Sequence, residues 1–295
     1  MVDIAVVGSM NLDTTATVDR LPLPGETVLG SGHFTDTGGK GANQAVAAAR
    51  LGRSVAMLGA VGDDDAGRRL LAVLSGDGVD VAAVRTSDQP TGIALITVDG
   101  AGENTIVVSP GATGTYGPDD LDHDVLASAS VVLAQLELPV ETVVAAAAAS
   151  GRFVLNPAPA RSLPEELLAA TDVLVPNATE LALLAGAPVP DGPDQAADAA
   201  RSLDVPSVVV TLGADGAVVV DGDRATHVAA PSIDAVDPTA AGDAFCGALA
   251  DALVGGAELV DAARWAVRAG AVTATRWGAQ AALPTRSDVE AMEAP

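Results

Sequence analysis

Small residues run directly into an acid at Asp237-Pro238-Thr239-Ala240-Ala241-Gly242-Asp243. Downstream, Phe245, Leu249 and Leu253 recur every four residues, the stripe of an amphipathic helix that Asp243 would open. The first N–H groups of a helix have no intrahelical partner, and the helix dipole favours negative charge beside them. Ala240, Ala241 and Gly242 leave room for an anion to approach those groups, and Asp243 would then sit beside it as a general base. A phosphoryl group held next to a carboxylate fits transfer to a hydroxyl. The same run is also how an Asp caps a helix after a Gly turn, so the rest of the chain has to decide.

A second run, Gly38-Gly39-Lys40-Gly41-Ala42-Asn43-Gln44-Ala45, carries the only lysine of the chain. Its glycines would let backbone approach a ligand, with Asn43 opening a helix as a polar reader; the plain alternative is a Gly turn with Asn as helix cap. It is not a P-loop, because Gly-Lys is followed by Gly41, and no GxGxxG follows the first strand. Asn11 and Asp13 come just after that strand, where an α/β sheet presents binding groups; the pair suits hydroxyl recognition and is also a common turn pair. Glu137 ends another apolar run and is either a similar contact or a solvated loop acid. In Pro176-Asn177-Ala178-Thr179-Glu180, Asn177 and Glu180 either cap a helix or reach phosphate and a hydrated Mg²⁺. The loop Thr211-Leu212-Gly213-Ala214-Asp215-Gly216 suits nucleotide phosphate or ribose.

These groups need a scaffold. Ile4–Val7, Val55–Ala60, Val131–Gln135, Phe153–Asn156, Val173–Pro176 and Val208–Leu212 read as buried strands, with Val218–Val220 as an added antiparallel strand. Helical patterns separate them at 43–51, 66–74, 140–149, 164–170, 179–185 and 195–203, and two more follow at 244–254 and 259–274. Strand–helix alternation predicts a parallel sheet with helices on both faces. Segments 14–36 and 92–109 read instead as small antiparallel strands, the second with Asp99-Gly100-Ala101-Gly102 at its hairpin turn. Neither could bury a face alone, so together they would form a small sheet over the open end of the main one.

Bulk composition narrows the partners. A net charge of −24 argues against nucleic acid and against an anionic membrane surface, while local backbone dipoles can still hold a small anion. Aromatics are 2% of the chain, which disfavours a pocket that stacks a nucleoside base. Cys246 is the single cysteine and reads as a small core filler. His33, His123 and His227 lack the spacing of a zinc site. No apolar run reaches membrane-spanning length and the N-terminus has no basic leader, which together predict a soluble cytoplasmic protein.

Taken in order, Gly38–Ala45, Gln135-Leu136-Glu137, Asn156-Pro157-Ala158-Pro159-Ala160, Pro176–Glu180 and Ala240–Asp243 resemble the ribokinase-like family of carbohydrate kinases over nearly the whole chain. The resemblance implies one kinase domain over 1–295: a three-layer αβα sandwich with a mostly parallel central sheet and a small β-sheet lid at 14–36 and 92–109, often used for dimerisation. It implies ATP-dependent phosphorylation of ribose at its 5-hydroxyl, with Mg²⁺ and activation by K⁺. Asp243 would match the catalytic base, and Ala240, Ala241 and Gly242 the anion hole. Asn11, Asp13, Gly39, Lys40, Asn43 and Glu137 would match sugar contacts. Asn177, Thr211, Gly213, Asp215, Gly216 and Gly242 would match the ATP side, and Glu180 would match Mg²⁺ through water. Asp237, the Thr239 carbonyl and carbonyls around Thr273, Arg276 and Gly278 would match the K⁺ site, although Ala282 stands where a Ser often helps line it. A kinase of this fold acting on another sugar or a nucleoside is the nearest alternative. A sugar-binding regulator without catalysis is a further one, which would have no need of Asp243.

Overall fold

The structure is a computed structural model that describes residues 2–293. From the N-terminus the chain forms β1 (Ile4–Val7), β2 (Asn11–Val18), β3 (Gly30–Gly38), α1 (Lys40–Arg50), β4 (Val55–Gly62), α2 (Asp65–Gly76), β5 (Val84–Ser87), β6 (Gly92–Val98) and β7 (Asn104–Ser109). It continues through α3 (His123–Ser128), β8 (Val131–Ala134), α4 (Val140–Ala149), β9 (Phe153–Leu155), α5 (Glu165–Ala169), β10 (Val173–Leu174), α6 (Ala178–Ala185), α7 (Pro193–Arg201) and β11 (Ser207–Thr211). The last third holds β12 (Ala217–Asp221), β13 (Arg224–Val228), α8 (Ala241–Val254), α9 (Leu259–Ala274) and α10 (Arg286–Ala291).

Nine strands make the main sheet, in the order β13-β12-β11-β10-β9-β8-β1-β4-β5. All neighbours from β5 to β11 pair in parallel, and β12 and β13 add an antiparallel edge. Alternation along each strand sends side chains to opposite faces, which is what makes three layers. Ile4 and Val6 pack with α1, α8 and α9 residues such as Val46, Phe245 and Val267; Ala5 and Val7 pack with α4, α6 and α7 residues such as Val143, Leu181 and Ala197. The sheet is therefore covered on both faces, as its near-continuous apolar strands require.

From β1 the chain steps outward to β4 and β5, then returns to β8 on the other side of β1 and proceeds to β9, β10 and β11. This reversal leaves a crevice at the carboxyl ends of β1 and β8, the usual place for a ligand in such a sheet. Ser9, Glu137 and the start of α1 meet there.

The four remaining strands form a second sheet, β3-β2-β6-β7. The sequence pattern of these segments predicts antiparallel strands. The outer pairs are antiparallel, but β2 and β6 run parallel, because the chain passes through β3, α1, β4, α2 and β5 between them and such a crossover permits parallel pairing. The boundaries also move. β2 begins at Asn11 and β3 ends at Gly38, so Asn11 and Asp13 lie on a strand of the small sheet and not in a turn. β5, α3, β13 and α10 are additions to the sequence reading; α3 and α10 have six residues each, too few for a periodic stripe. Among the described residues, no helix is long and apolar enough to cross a membrane.

Candidate active site

Helix α1 starts abruptly. Gly39 takes φ 92, and a Cβ there would come within 2.9 Å of the Ser9 carbonyl and the Asn11 N–H. A Cβ on Gly41 would lie 2.6 Å from the Gly8 carbonyl carbon and the Ser9 nitrogen. The reading of these glycines as room for a ligand is corrected at Gly41: the backbone it admits is that of the β1–β2 junction. With no side-chain cap of its own, α1 is finished by Glu137, whose carboxylate accepts from the Lys40 N–H at 3.1 Å and from the Ser9 hydroxyl. An acid at this position also matches the helix dipole.

The same geometry aims Asn43 and Gln44 at Asp243, which lies in the first turn of α8 and is 8% exposed. Asn43 Nδ2 donates to Asp243 Oδ2 at 2.9 Å, and Gln44 Nε2 donates to Oδ1 at 3.0 Å. Burial pushes the Asp243 carboxyl up; Lys40 and the two amides pull it back without cancelling the shift. Burial also works against the Lys40 charge, but the carboxylates of Asp243, Glu137 and Glu180 outweigh it and hold the ammonium above its usual range.

Ahead of Asp243, Ala240 has φ 61, the one positive φ outside glycine among the described residues. That turn frees backbone donors: the N–H groups of Ala240, Gly242 and Asp243 have no partner among the described residues. The Ala241 N–H is bound to the Pro238 carbonyl at 3.1 Å, so Ala241 serves the turn and presents no free donor. Strained backbone at a non-glycine residue concentrates where geometry serves a ligand.

A cavity of about 150 Å³ opens in front of this turn. Lys40, Asn177, Glu180, Thr211, Ala240, Gly242 and Asp243, all singled out from sequence, line it together with Asn156 and Cys246. Asn177 and Glu180 form the capping box of α6: the Asn177 N–H donates to Glu180 Oε2 at 2.8 Å and the Glu180 N–H to Asn177 Oδ1 at 2.8 Å. Both alternatives raised for this pair are thus compatible, because the box uses one oxygen of each side chain and leaves the Asn177 amide N–H₂ and Glu180 Oε1 over. Burial raises the Glu180 carboxyl, against the pull of the Asn177 N–H and Lys40. Gly213, Asp215 and Gly216 lie outside the cavity lining. A Cβ at Gly216 would overlap the Val228 carbonyl, so that glycine serves the packing of β13.

Asn11 and Asp13 approach from the small sheet. Asn11 is 3% exposed and its Oδ1 has no partner in the structure. The Asp13 carboxyl is pushed up to about 7, first by burial and then by the charges of Glu137, Asp36 and Asp243, with Lys40 opposing. The small sheet therefore brings its acid to the same charged cluster. Asp237 stands apart from the cavity: its carboxylate accepts from the Thr239 N–H at 2.9 Å and the Gly278 N–H at 3.0 Å. Burial opposes the charge of Asp237, but those bonds hold its carboxyl below the ordinary range. Thr273 gives its carbonyl to the Arg276 N–H at 3.0 Å, and Arg276 pairs with Asp288 at 2.9 Å. Sequence reasoning assigned no role to Ser9, Gln44, Gln135 or Asn156. Gln44, Gln135 and Asn156 stand within the motifs that carry the family resemblance, and Gln135 and Asn156 also follow strand ends, two signals that point to them.

Known proteins bear on this geometry. Residues 1–286 match the model of the pfkB family carbohydrate kinases. A ribokinase of Staphylococcus aureus (strain COL) is 36% identical over 297 residues, 97% of this chain and 98% of the relative. A deoxyribokinase of Salmonella typhi is 36% identical over 294 residues, 96% of each. The chain spans 56% of a bifunctional ribokinase/ribose-5-phosphate isomerase A of Fructilactobacillus sanfranciscensis, at 38% identity over 302 residues. Among solved structures, an Arabidopsis thaliana ribokinase complexed with ribose and ATP superposes with a TM-score of 0.92 at 33% identity, covering 99% of this chain and 98% of that one. The chain belongs to the pfkB family of carbohydrate kinases.

Proposed function

We propose that this carbohydrate kinase transfers the γ-phosphoryl group of ATP to the 5-hydroxyl of ribose, with Asp243 as the general base. The observation that carries the reading is Asp243 itself: a buried carboxylate, held by two neutral amides, beside a cavity that also holds Lys40 and the free N–H groups of the α8 turn. Asp243 takes the hydroxyl proton as the sugar oxygen bonds to the γ-phosphorus. The bond from that phosphorus to the bridging oxygen breaks, its electron pair leaves with ADP, and the products are ribose 5-phosphate, ADP and a proton. The free N–H groups of Ala240, Gly242 and Asp243 face the charge that develops on the phosphoryl oxygens. Asn11, Asp13, Gly39, Lys40, Asn43 and Glu137 form the sugar side, where Asn11 Oδ1 and Asn43 Oδ1 are buried acceptors without donors, as hydroxyl recognition requires. Asn177, Thr211 and Gly242 line the nucleotide side of the cavity, and the loop of Gly213, Asp215 and Gly216 after β11 would extend that side beyond the cavity wall.

Glu180 fits Mg²⁺ held through water: a carboxylate in the cavity wall with one oxygen outside the capping box. Bound there, the ion would neutralise phosphate charge. For K⁺, Asp237 and carbonyls around Thr239, Thr273, Arg276 and Gly278 are the site residues, and the Asp237 carboxylate that already ties the turn before α8 to Gly278 is a fitting anchor. The whole chain acts as one kinase domain, with β2, β3, β6 and β7 as a lid that excludes water. Phe34, Leu95, Ile106, Val107 and Val108 are exposed on that lid sheet, which supports a homodimer through it; sedimentation of the wild-type chain reads this directly. An ATP-consuming sugar kinase with a lone buried thiol fits the cytoplasm.

A coupled ADP-release assay against ribose, deoxyribose, fructose and adenosine tests the acceptor. Ribose is expected to give the highest kcat/KM. Preference for deoxyribose, as the Salmonella relative's name would suggest, or for fructose or adenosine would overturn the acceptor and leave the kinase standing.

A further inference from the structure

Asp243 accepts from two side chains, and only one of them is held by further side chains. Asn43 is held by Asp243 alone: its Nδ2 donates to the carboxylate and its Oδ1 has no partner among the described residues. Gln44 is fully buried and engaged at every corner: its Nε2 donates to Asp243 Oδ1 at 3.0 Å and to Asn156 Oδ1 at 3.1 Å, and its Oε1 accepts from Gln135 Nε2 at 2.6 Å. The neighbours are fixed in turn. Asn156 Nδ2 donates to the Val175 carbonyl at 3.0 Å, which leaves its oxygen for Gln44. Gln135 is fully buried beside Gly8, where any side chain would overlap its Oε1. Turned over, Gln135 would set its oxygen against the Gln44 oxygen, two acceptors in contact. A carboxylate accepts only, so hydrogen-bond polarity runs one way, from Gln135 through Gln44 to Asp243.

We propose that Gln135 is a positioning residue that acts on Asp243 through Gln44, the two amides fixing which lone pair of the carboxylate faces the acceptor hydroxyl. This rests on the reading of Asp243 as the base. Neutral donors suit that task. A cation bound directly would hold the carboxylate too firmly ionised to take a proton, and no donor at all would leave it neutral in its buried site. The relay ends at the carboxyl ends of β8 and β9, so the rigid sheet itself sets the direction of the base.

The test uses Gln44→Met and Gln135→Met, which keep the volume of glutamine and remove the amide, with kcat measured against pH at saturating sugar and ATP. Charged or titratable groups around Asp243 are Lys40 on α1, Glu137 after β8, Asp13 on β2, Glu180 on α6 and the Cys246 thiol on α8, and none is altered by these changes. Gln44→Met is expected to lower kcat about 10–100-fold, the scale for losing a hydrogen bond to a charged group. It should also move the acid limb of the profile to higher pH by about one unit, with KM for ATP unchanged. Gln135→Met should act in the same direction but less. The double variant should be no worse than Gln44→Met alone, because Gln135 has no other route to the base. Additive losses, or an acid limb that stays in place, would show that both glutamines only fill space and would overturn the relay. Should a Met variant not fold, Gln44→Asn and Gln135→Asn shorten the relay by one methylene and read the same limb and coupling. Asp243→Asn separates the two ideas. Near-normal turnover there removes the base and the relay with it, whereas an inactive Asp243→Asn with unmoved limbs in the glutamine variants removes the relay alone.

Discussion

Replacing Asp243 by Asn changes one atom, and the structure says how the site would take it. The carboxylate accepts from Asn43 on one oxygen and from Gln44 on the other. An amide in its place has only one oxygen, so one donor must lose its acceptor. Gln44 cannot turn, because Gln135 and Asn156 hold it; Asn43 can, because its oxygen has no partner. The new amide is therefore expected to keep its oxygen toward Gln44 and turn its nitrogen toward a flipped Asn43, with every hydrogen bond conserved. Folding should not suffer, and the melting temperature should equal or exceed that of the wild type, since a carboxyl that burial pushes up is replaced by a neutral group. Catalysis should fall by about two to four decades, the scale for losing a general base, or roughly 3–6 kcal/mol of barrier at about 1.4 kcal/mol per decade. The coupled ADP-release assay gives kcat, a thermal melt gives stability, and calorimetric titration gives ATP affinity, which should be unchanged. Turnover within about tenfold of wild type in a folded variant would refute the assignment of the base.

Gly38→Ala would place a methyl group on the Asp13 carboxylate, so KM for ribose should rise about tenfold or more while KM for ATP stays put; equal ribose KM would remove Asp13 from the sugar site. With the Asp13 carboxyl at about 7 in the fold against 3.8 ordinarily, the neutral form is the one the fold favours. Its stabilising contribution is complete below about 3.8 and lost as pH rises through about 7, and Asp13→Asn should flatten that part of a stability–pH curve; a curve with the same slope in the variant would locate the titration elsewhere. K⁺ should raise activity over a Na⁺ control and Asp237→Ala should abolish the response; equal rates in K⁺, Na⁺ and a bulky organic cation at matched ionic strength would leave Asp237 as the tie between Thr239 and Gly278 alone.

The layered fold was legible because its signals are local. Apolar runs such as Val131–Ala134 and the four-residue stripe of Phe245, Leu249 and Leu253 specify strand and helix within a few residues, and their alternation specifies a parallel sheet. The run of small residues before Asp243 likewise marked a helix start by itself. What the chain could not state locally was who faces whom. Whether Gly41 admits a ligand or the β1–β2 junction depends on backbone about thirty residues away. Whether β2 and β6 run parallel depends on the crossover between them, and whether Ala241 offers its N–H depends on the Pro238 carbonyl. Gln44, Gln135 and Asn156 are ordinary amides in sequence; only bringing α1 to the carboxyl ends of β8 and β9 turns them into a line of donors ending on Asp243. Sequence determined the elements and the chemical types, because propensity and periodicity are short-range. Tertiary structure decided direction, burial and hydrogen-bond polarity, because each of these is a property of two segments brought together from distant parts of the chain.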